Sequence, residues 1–367
     1  MTRNPTSTLP LPPDAPDASR HPFAEAVEAW YGRHGRRLPW RDTADPYRIW
    51  ISEIILQQTR VAQGYDYYVR FVRRFPDVFS LAAASEDEVL AAWQGLGYYS
   101  RARNLHAAAR SIAAAGAFPT TYEGVRALRG VGPYTAAAIC SFAYGLPHAV
   151  VDGNVYRVLA RHFGLSTPID STAGRHEFAA LAEALLDRKA PALYNQALMD
   201  FGALQCTPQN PNCTACPLNG SCVARQRGSV EALPVREKRT AVRDRYFVYL
   251  YLLRPDGSLL LRRRPAGDIW QGLYEPLLLE FSSAPSETDV MGHAAWATLG
   301  PVSSVAQVVR GRLHVLTHQR LHMDGYLVRL ASDAALPGFV RVEAGARDAY
   351  AVPRLVELLF EAVDAYI

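Results

Sequence analysis

Four of the five cysteines in this chain lie in one short segment, CTPQNPNCTACPLNGSC, which spans residues 206–222. Six, two and five residues separate the successive cysteines of this group. Four thiolates at such density can bind a metal, either as a tetrahedral zinc site or as an iron–sulfur cluster. Only one pair has the close spacing of a zinc knuckle, so spacing alone leaves both metals open. The four candidate ligands are Cys206, Cys213, Cys216 and Cys222.

A second candidate for chemistry is Glu53, which stands inside the strongly apolar segment ISEIILQQTRV, residues 51–61. At helical spacing, Trp50, Glu53, Gln57 and Arg60 share one face. A charged face of this kind is usually solvated. The alternative is a face that lines a pocket, where burial would raise the pKa of the Glu53 carboxyl.

A second carboxylate, Asp152, precedes the amphipathic run in VDGNVYRVLARHFG, residues 151–164. Its position predicts an N-cap, because aspartate accepts backbone N–H bonds at a helix start. The helix dipole there favours the charged form of the side chain. Two carboxylates in different environments can divide into a proton donor and a stabilising anion.

The segment LRGVGPYTAAAI, residues 128–139, joins one helical pattern to another. Gly130 and Gly132 permit a tight turn, and Val131 between them can enter the core. Backbone N–H groups at such a turn can bind a DNA phosphate. A lone GxG motif more often marks an ordinary helix–turn–helix connection, so this alternative stays open.

The elements that must position these residues are helical as far as Cys222. Ser85 and Glu88 have capping-box spacing, and Thr120 and Glu123 repeat it. The alanine-rich run LHAAARSIAAAG favours a helix that stops at Gly116.

After Cys222 the sequence changes character. RYFVYLYLL, residues 245–253, and SLLLRRR, residues 258–264, flank a Pro-Asp-Gly turn and predict a hairpin. YEPLLLEF, residues 274–281, and MDGYLVRL, residues 323–330, predict further strands, and residues 353–367 predict a final helix.

Composition is ordinary for a globular protein, with 49% hydrophobic and 20% charged residues among 367. The net charge of +4 arises entirely in residues 1–229, which hold 23 basic and 19 acidic residues. No apolar run predicts a membrane span, and the N-terminus has no signal-peptide pattern. We therefore expect a cytoplasmic protein.

These patterns predict a multi-domain chain. Residues 1–22 form a disordered tail, and residues 23–222 form an all-α domain that includes the loop 206–222. Residues 223–244 form a linker, and residues 245–367 form an α+β domain.

Several motifs, in order, resemble one family. They are LPWR (38–41), SEIILQQTRV (52–61), WQGLGYYSRARNLH (93–106), GVGPYT (130–135), VDGNVYRVLARHFG (151–164) and, more weakly, WQGLYE (270–275) and VLTH (315–318). Together with the four-cysteine loop, they resemble the helix-hairpin-helix DNA glycosylases and, within that superfamily, the adenine DNA glycosylases (MutY). The C-terminal domain resembles the family's Nudix-like module.

The resemblance implies a [4Fe–4S] cluster on the four cysteines. It implies that Glu53 donates a proton to adenine N7 and that Asp152 stabilises the oxocarbenium-like sugar. Tyr134 stands where the related lyases carry a Schiff-base lysine, which implies a monofunctional enzyme. Tyr134 and Asn154 are expected to contact the reacting region.

Contacts with DNA also follow from the resemblance. Partner-base contacts are expected from Gln58, Thr59, Leu96, Tyr98, Thr317 and His318, and phosphate contacts from Gly130 and Gly132. Residues 282–300 lack the glutamate cluster of Nudix hydrolases, so we expect this domain to read 8-oxoguanine and not to hydrolyse nucleotides.

The implied function is removal of adenine mispaired with 8-oxoguanine or guanine in duplex DNA, by a monomer that meets no membrane and associates with the nucleoid through its DNA substrate. Three alternatives are an endonuclease III-like lyase, a thymine-mismatch glycosylase and a non-catalytic iron–sulfur protein that binds DNA.

Overall fold

A computed structural model describes residues 20–237, 241–333 and 335–367. Packing divides them into two compact units. The first unit combines residues 20–57 with residues 111–237, and the second combines residues 58–110 with the described residues from 241 onward. This division differs from the sequence-based boundaries, because residues 58–110 pack with the C-terminal part of the chain.

The helices are named in chain order. They are α1 (Pro22–His34), α2 (Pro46–Leu56), α3 (Val61–Arg74), α4 (Val78–Ala83), α5 (Glu86–Ala92), α6 (Ser100–Ala115), α7 (Tyr122–Arg126), α8 (Pro133–Tyr144), α9 (Gly153–Phe163), α10 (Thr172–Leu185), α11 (Pro191–Asp200), α12 (Val223–Gln226), α13 (Glu287–Met291) and α14 (Arg354–Tyr366). None of these described helices has the length and apolar content that a membrane span requires.

The core of the first unit forms where α1, α9, α10 and α11 meet. Its largest buried side chains include Phe23, Trp30, Phe178, Tyr194 and Phe201. A π-helical turn, Phe201–Gln205, continues α11 into the cysteine segment.

The predicted linker between the two domains is partly structured where the chain is described. Residues 1–19 of the predicted tail and residues 238–240 of the predicted linker lie outside the described residues. The linker region begins with α12, and Ala224 and Leu233 are buried in the core of the first unit. The first strand of the second unit begins at Arg243, two residues before the predicted domain boundary.

Helix α2 is buried on almost every side and packs against α8. Trp50 is 0% exposed and Glu53 is 7% exposed, so the solvated-face interpretation is wrong. The four-residue face is also wrong, because α2 ends at Leu56. The backbone turns at Gln58, whose φ is +58°, and Arg60 is the N-cap of α3.

Two of the predicted helix boundaries are confirmed and one is wrong. The Ser85–Glu88 capping box opens α5, and α6 ends at Ala115 before Gly116, whose φ is +80°. The N-cap of α7 is Thr121 and not Thr120, because the Thr121 hydroxyl accepts the N–H of Gly124 at 3.2 Å.

A mixed sheet dominates the second unit. Its strands are β1 (Arg243–Leu253), β2 (Leu259–Arg263), β3 (Tyr274–Glu275), β4 (Leu277–Phe281), β5 (Val302–Val315), β6 (Gln319–Leu330) and β7 (Phe339–Val342). The order is β3-β2-β1-β6-β5, with β4 on β1 and β7 on β2. The pair β1–β6 is parallel and the other pairs are antiparallel.

Strand β1 is apolar from Tyr246 to Leu253 because both of its faces are covered there. Phe247 and Tyr249 belong to the cluster that includes α14, whereas Val248 and Leu250 belong to the cluster that includes Val290 of α13. The predicted strands are confirmed, although Pro276 separates YEPLLLEF into β3 and β4. The sequence analysis missed β5 and β7.

Candidate active site

Glu53 and Tyr134 meet where α2 packs against the first turn of α8. The Tyr134 hydroxyl donates a hydrogen bond to Glu53 Oε2 at 2.9 Å. Burial raises the pKa of the Glu53 carboxyl to about 7; the Tyr134 bond lowers it, the charge of Asp152 raises it further, and Arg41 lowers it. A carboxyl of this kind is partly protonated at neutral pH and can donate a proton.

Asp152 caps α9, as the sequence predicts. Its Oδ1 accepts the backbone N–H groups of Asn154 and Val155, each at 2.8 Å. Its Oδ2 accepts the side-chain amide of Asn154 at 2.7 Å. Burial raises the pKa of Asp152, and these three hydrogen bonds oppose the shift. The start of α9 favours the charged form of Asp152, whereas burial favours the neutral form. The pKa of Asp152 therefore depends on both effects.

The charge of Arg41 lowers the pKa of Glu53, and Arg41 shares the carboxylate of Asp200 with Arg36. The sequence analysis assigned neither arginine a role. Asp200, which is 0% exposed, accepts Arg41 Nη1 at 2.7 Å and Arg41 Nη2 at 2.8 Å. It also accepts Arg36 Nε at 2.9 Å. The available signal was Arg41 itself, the final residue of the LPWR motif.

The hairpin has the predicted form. Gly130 has a φ of +79°, Val131 is 3% exposed in the core, and Gly132 is the N-cap of α8. Arg126 Nη1 holds the carbonyl oxygen of Val131 at 2.6 Å. Among the described residues, no heavy atom other than those of Gly132 and its chain neighbours lies within 4 Å of the position where a Cβ on Gly132 would stand, which leaves room for a phosphate to approach the backbone.

Arg157 links the Asp152 cap to the cysteine segment. Its Nη2 donates to Asn154 Oδ1 at 2.9 Å and to the carbonyl of Gly202 at 2.6 Å. Its Nε donates to the carbonyl of Cys206 at 2.7 Å. The side-chain amide of Asn154 is thus oriented from both ends.

The four cysteines line one small cavity. No three His, Cys, Asp or Glu side chains within the described ranges converge closely enough for a single ion, but four thiols around a shared cavity are the donor set of a larger cluster. Arg161 Nη1 contacts Cys206 Sγ at 3.5 Å and donates to the carbonyl of Thr207 at 2.7 Å. A guanidinium at this place suits a thiolate-bound, anionic group. The residues therefore fit an iron–sulfur cluster.

A cavity of about 420 Å³ in the second unit gathers most of the predicted partner-base residues. Those that line it are Leu96, Tyr98, Thr317 and His318. The Tyr98 and Thr317 hydroxyls share a hydrogen bond. Gln58 and Thr59 do not line the cavity; they lie in the turn between α2 and α3.

The sequence analysis missed other residues of this cavity, among them Asp268, Trp270 and Arg354. Trp270, with a φ of +60°, and Tyr98, with a φ of +47°, are non-glycine residues in the left-handed region. Such backbones are costly and concentrate at functional sites. The WQGLYE motif was the available signal for Trp270.

Three family patterns match the chain. Residues 51–183 match the HhH-GPD superfamily of base excision DNA repair proteins. Residues 206–222 match the iron-sulfur binding domain of endonuclease III, and residues 248–362 match the NUDIX domain.

Comparison with individual proteins identifies the family more closely than the family patterns do. The adenine DNA glycosylase of Buchnera aphidicola subsp. Baizongia pistaciae is 33% identical over 255 residues, which cover 69% of this chain and 72% of the relative. This chain belongs to the adenine DNA glycosylase family. The predicted fold, a helical glycosylase domain with an iron–sulfur loop followed by a Nudix-like domain, is confirmed.

Other adenine DNA glycosylases match a smaller share of their own length. The mouse member of the family is 43% identical over 228 residues, which cover 58% of this chain and 44% of the mouse protein. The chain spans less than half the length of the mouse, human and rat members, 41% to 48%. Among solved structures, a thermostable thymine-DNA glycosylase is 30% identical with a TM-score of 0.53, covering 56% of this chain and 95% of that one.

The cysteine loop is the site of a [4Fe–4S] cluster. The match of residues 206–222 and the fit of four thiols around one cavity decide between the two metals that spacing alone left open.

We expect replacement of Cys216 by serine to remove most of the bound iron and the broad visible absorption of the cluster. The physical reason is that a serine hydroxyl is a poor substitute for a thiolate ligand. Iron analysis and absorption spectra of the purified protein measure the loss. Cys140→Ala is the control, because Cys140 is buried in α8 and is not among the residues that line the cysteine cavity. Full iron content in the Cys216→Ser protein would contradict the ligand set.

Proposed function

We propose that this protein hydrolyses the N-glycosidic bond of adenine mispaired with 8-oxoguanine, or with guanine, in duplex DNA and leaves an abasic site. The observation that carries the proposal is a buried carboxyl, Glu53, with a pKa raised to about 7 near a second carboxylate in a different environment. Such a pair supplies both a proton and a stabilising negative charge. Membership of the adenine DNA glycosylase family supports adenine as the base removed.

The target adenosine must leave the base stack before its glycosidic bond can react. Glu53 then donates its proton to N7 of the base, which makes adenine a better leaving group. The Tyr134 hydroxyl donates to Oε2, which leaves Oε1 to carry the transferable proton. Burial of Glu53 excludes the water that would otherwise keep the carboxyl ionised.

Bond cleavage leaves a positive charge that is shared between C1′ and the ring oxygen of the sugar. Asp152 stabilises this charge as an anion, and the N–H groups of Asn154 and Val155 hold its carboxylate in place. Water attacks C1′, and the Glu53 carboxylate, which has given its proton to the departing base, accepts the proton that the water loses, so hydrolysis is complete and Glu53 is again protonated. Tyr134 stands in the hairpin where a lysine would form a Schiff base; because a phenol forms none, the enzyme is monofunctional.

Adenine is an undamaged base, so the partner base must also be read. Leu96, Tyr98, Thr317 and His318 line one cavity and supply an aromatic ring, a hydroxyl and an imidazole for 8-oxoguanine. Gln58 and Thr59 approach the same mispair from the turn after α2. The hairpin glycines, Gly130 and Gly132, bind a phosphate without reading sequence. The protein acts as a monomer.

The decisive assay uses cluster-loaded protein and duplexes with adenine opposite 8-oxoguanine, guanine, cytosine or thymine, and one with thymine opposite guanine. We expect free adenine from the first two, fastest from the first, with the strand intact until alkali cleaves the abasic site. Borohydride should trap no covalent complex. Release of thymine would favour the alternative to which the thymine-DNA glycosylase similarity points, and efficient trapping would favour a lyase.

Replacement of Glu53 by glutamine keeps the shape of the side chain but removes its transferable proton. We expect single-turnover base release to fall by at least about 100-fold, whereas affinity for the duplex stays the same. Glu25→Gln is the matched control, because Glu25 is an exposed carboxylate on α1. Equal rates for the Glu53→Gln protein and the wild type would eliminate Glu53 as the acid.

The rate of base release should also depend on pH. Only the protonated form of Glu53 donates, and its pKa is about 7. The rate should therefore be highest near or below neutral pH and fall about tenfold per unit well above it. At low pH it should fall again as Asp152 becomes protonated. Single-turnover rates across the range measure both limbs; a rate that rises above pH 7 would contradict the assignment.

A further inference from the structure

The loop that joins α5 to α6 holds an uncommon backbone conformation. Gly95 has a φ of +90°, Gly97 of +68° and Tyr98 of +47°. A tyrosine in the left-handed region is strained, and such strain persists only where the surroundings enforce it. Tyr98 is nevertheless 43% exposed, so packing of its own ring does not account for the conformation.

Arg101, the second residue of α6, contacts this loop. Its Nη2 donates to the carbonyl oxygen of Leu96 at 3.2 Å and to that of Gly97 at 3.3 Å. Its Cζ lies 5.5 Å from the centre of the Tyr98 ring and 5.4 Å from the centre of the Trp93 ring. The guanidinium thus touches both the backbone of the loop and the aromatic ring that the loop presents.

Trp93 supports the same carbonyl from the other end of the loop. Its Nε1 donates to the carbonyl oxygen of Gly97 at 3.1 Å. Two donors therefore converge on Gly97, the residue that precedes Tyr98. The Tyr98 hydroxyl at the far end of the ring meets the Thr317 hydroxyl of the hairpin between β5 and β6.

These contacts need the specific chemistry of arginine. A planar guanidinium can stack on rings and donate in a fork at the same time, whereas an ammonium group acts as a point charge. Burial lowers the pKa of Arg101 to about 10, so the group is still charged at neutral pH.

We propose that Arg101 is a positioning residue, which holds Tyr98 in the conformation that reads the base opposite adenine. This inference rests on the proposed function, because it takes partner-base reading as the role of the cavity. Arg101 acts through Tyr98 and has no contact with DNA of its own. Its loss therefore lowers discrimination between partner bases, and nothing further is lost once Tyr98 is absent.

The test is a double-mutant cycle read out as the ratio of single-turnover rates for adenine opposite 8-oxoguanine and opposite guanine. We expect Tyr98→Leu to lower this ratio by about tenfold, on the scale of one stacked aromatic ring. Arg101→Met should lower it to a similar value, and the double variant should match Tyr98→Leu alone. Arg101→Lys should restore little of the ratio, because an ammonium group lacks the planar, forked donors of a guanidinium.

Two further variants separate positioning from general damage. Trp93→Phe keeps an aromatic ring but removes the donor to Gly97, so it should lower the same ratio by a smaller factor. If Arg101→Met fails to fold, Trp93→Phe and Arg101→Lys together test whether the contacts to the loop set the ratio. Arg110→Met, an exposed arginine on α6, is the control and should leave the ratio unchanged. Thermal melting and iron content show that each protein is intact.

The inference would be overturned if the double variant lowered the ratio of rates by the product of the two single effects. It would also be overturned if duplex binding by Arg101→Met depended less on salt by about one phosphate contact, because Arg101 would then contact DNA itself. An unchanged ratio in folded Arg101→Met would also overturn it. A wild-type protein that releases adenine equally from both duplexes, or not at all, would instead overturn the proposed function.

Discussion

The burial of Glu53, where α2 packs against α8, is the constraint on which the proposed chemistry depends, because burial raises the pKa of its carboxyl to about 7 against the opposing hydrogen bond from Tyr134. An exposed glutamate is ionised at neutral pH and has no proton to give. Helix α2 prevents this because nearly all of its residues are buried, so the carboxyl is carried into the interior together with Trp50. The tight turn at Gly130 allows α8 to begin where its first turn brings Tyr134 against that carboxyl. The packing of these two helices therefore determines the protonation state of the Glu53 carboxyl.

The second carboxylate is held by a different arrangement. Asp152 is fixed by the start of its own helix, and Asn154 is fixed in turn by Arg157, which also holds the backbone of Gly202 and Cys206. The Cβ of an alanine at position 202 would lie 2.6 Å from the Cβ of Asn154, so only glycine permits this approach. The cluster loop therefore shares a hydrogen-bonded framework with the cap of α9.

Much of this was predictable from local sequence, because caps, tight turns and cysteine spacing are local signals. The Ser85 capping box, the Asp152 cap and the core position of Val131 were predicted and are present. The end of α2 was not, because Gln58 leaves the helix through a left-handed backbone that no glycine marks. Long-range packing was also invisible: strand β5 has three register shifts against β6 and no clean alternation, and nothing in residues 58–110 signals that they pack with a sheet formed much later in the chain.

That interleaved division affects how the molecule is assembled. Each unit is built from two stretches that are distant in sequence, so no single cut of the chain releases either unit whole. On the ribosome, residues 58–110 emerge long before the C-terminal strands of the same unit, and contacts of such long sequence separation form slowly. We expect residues 58–110 to lack their long-range partners until the last strands are synthesised, which makes the nascent chain more prone to aggregation than the folded protein.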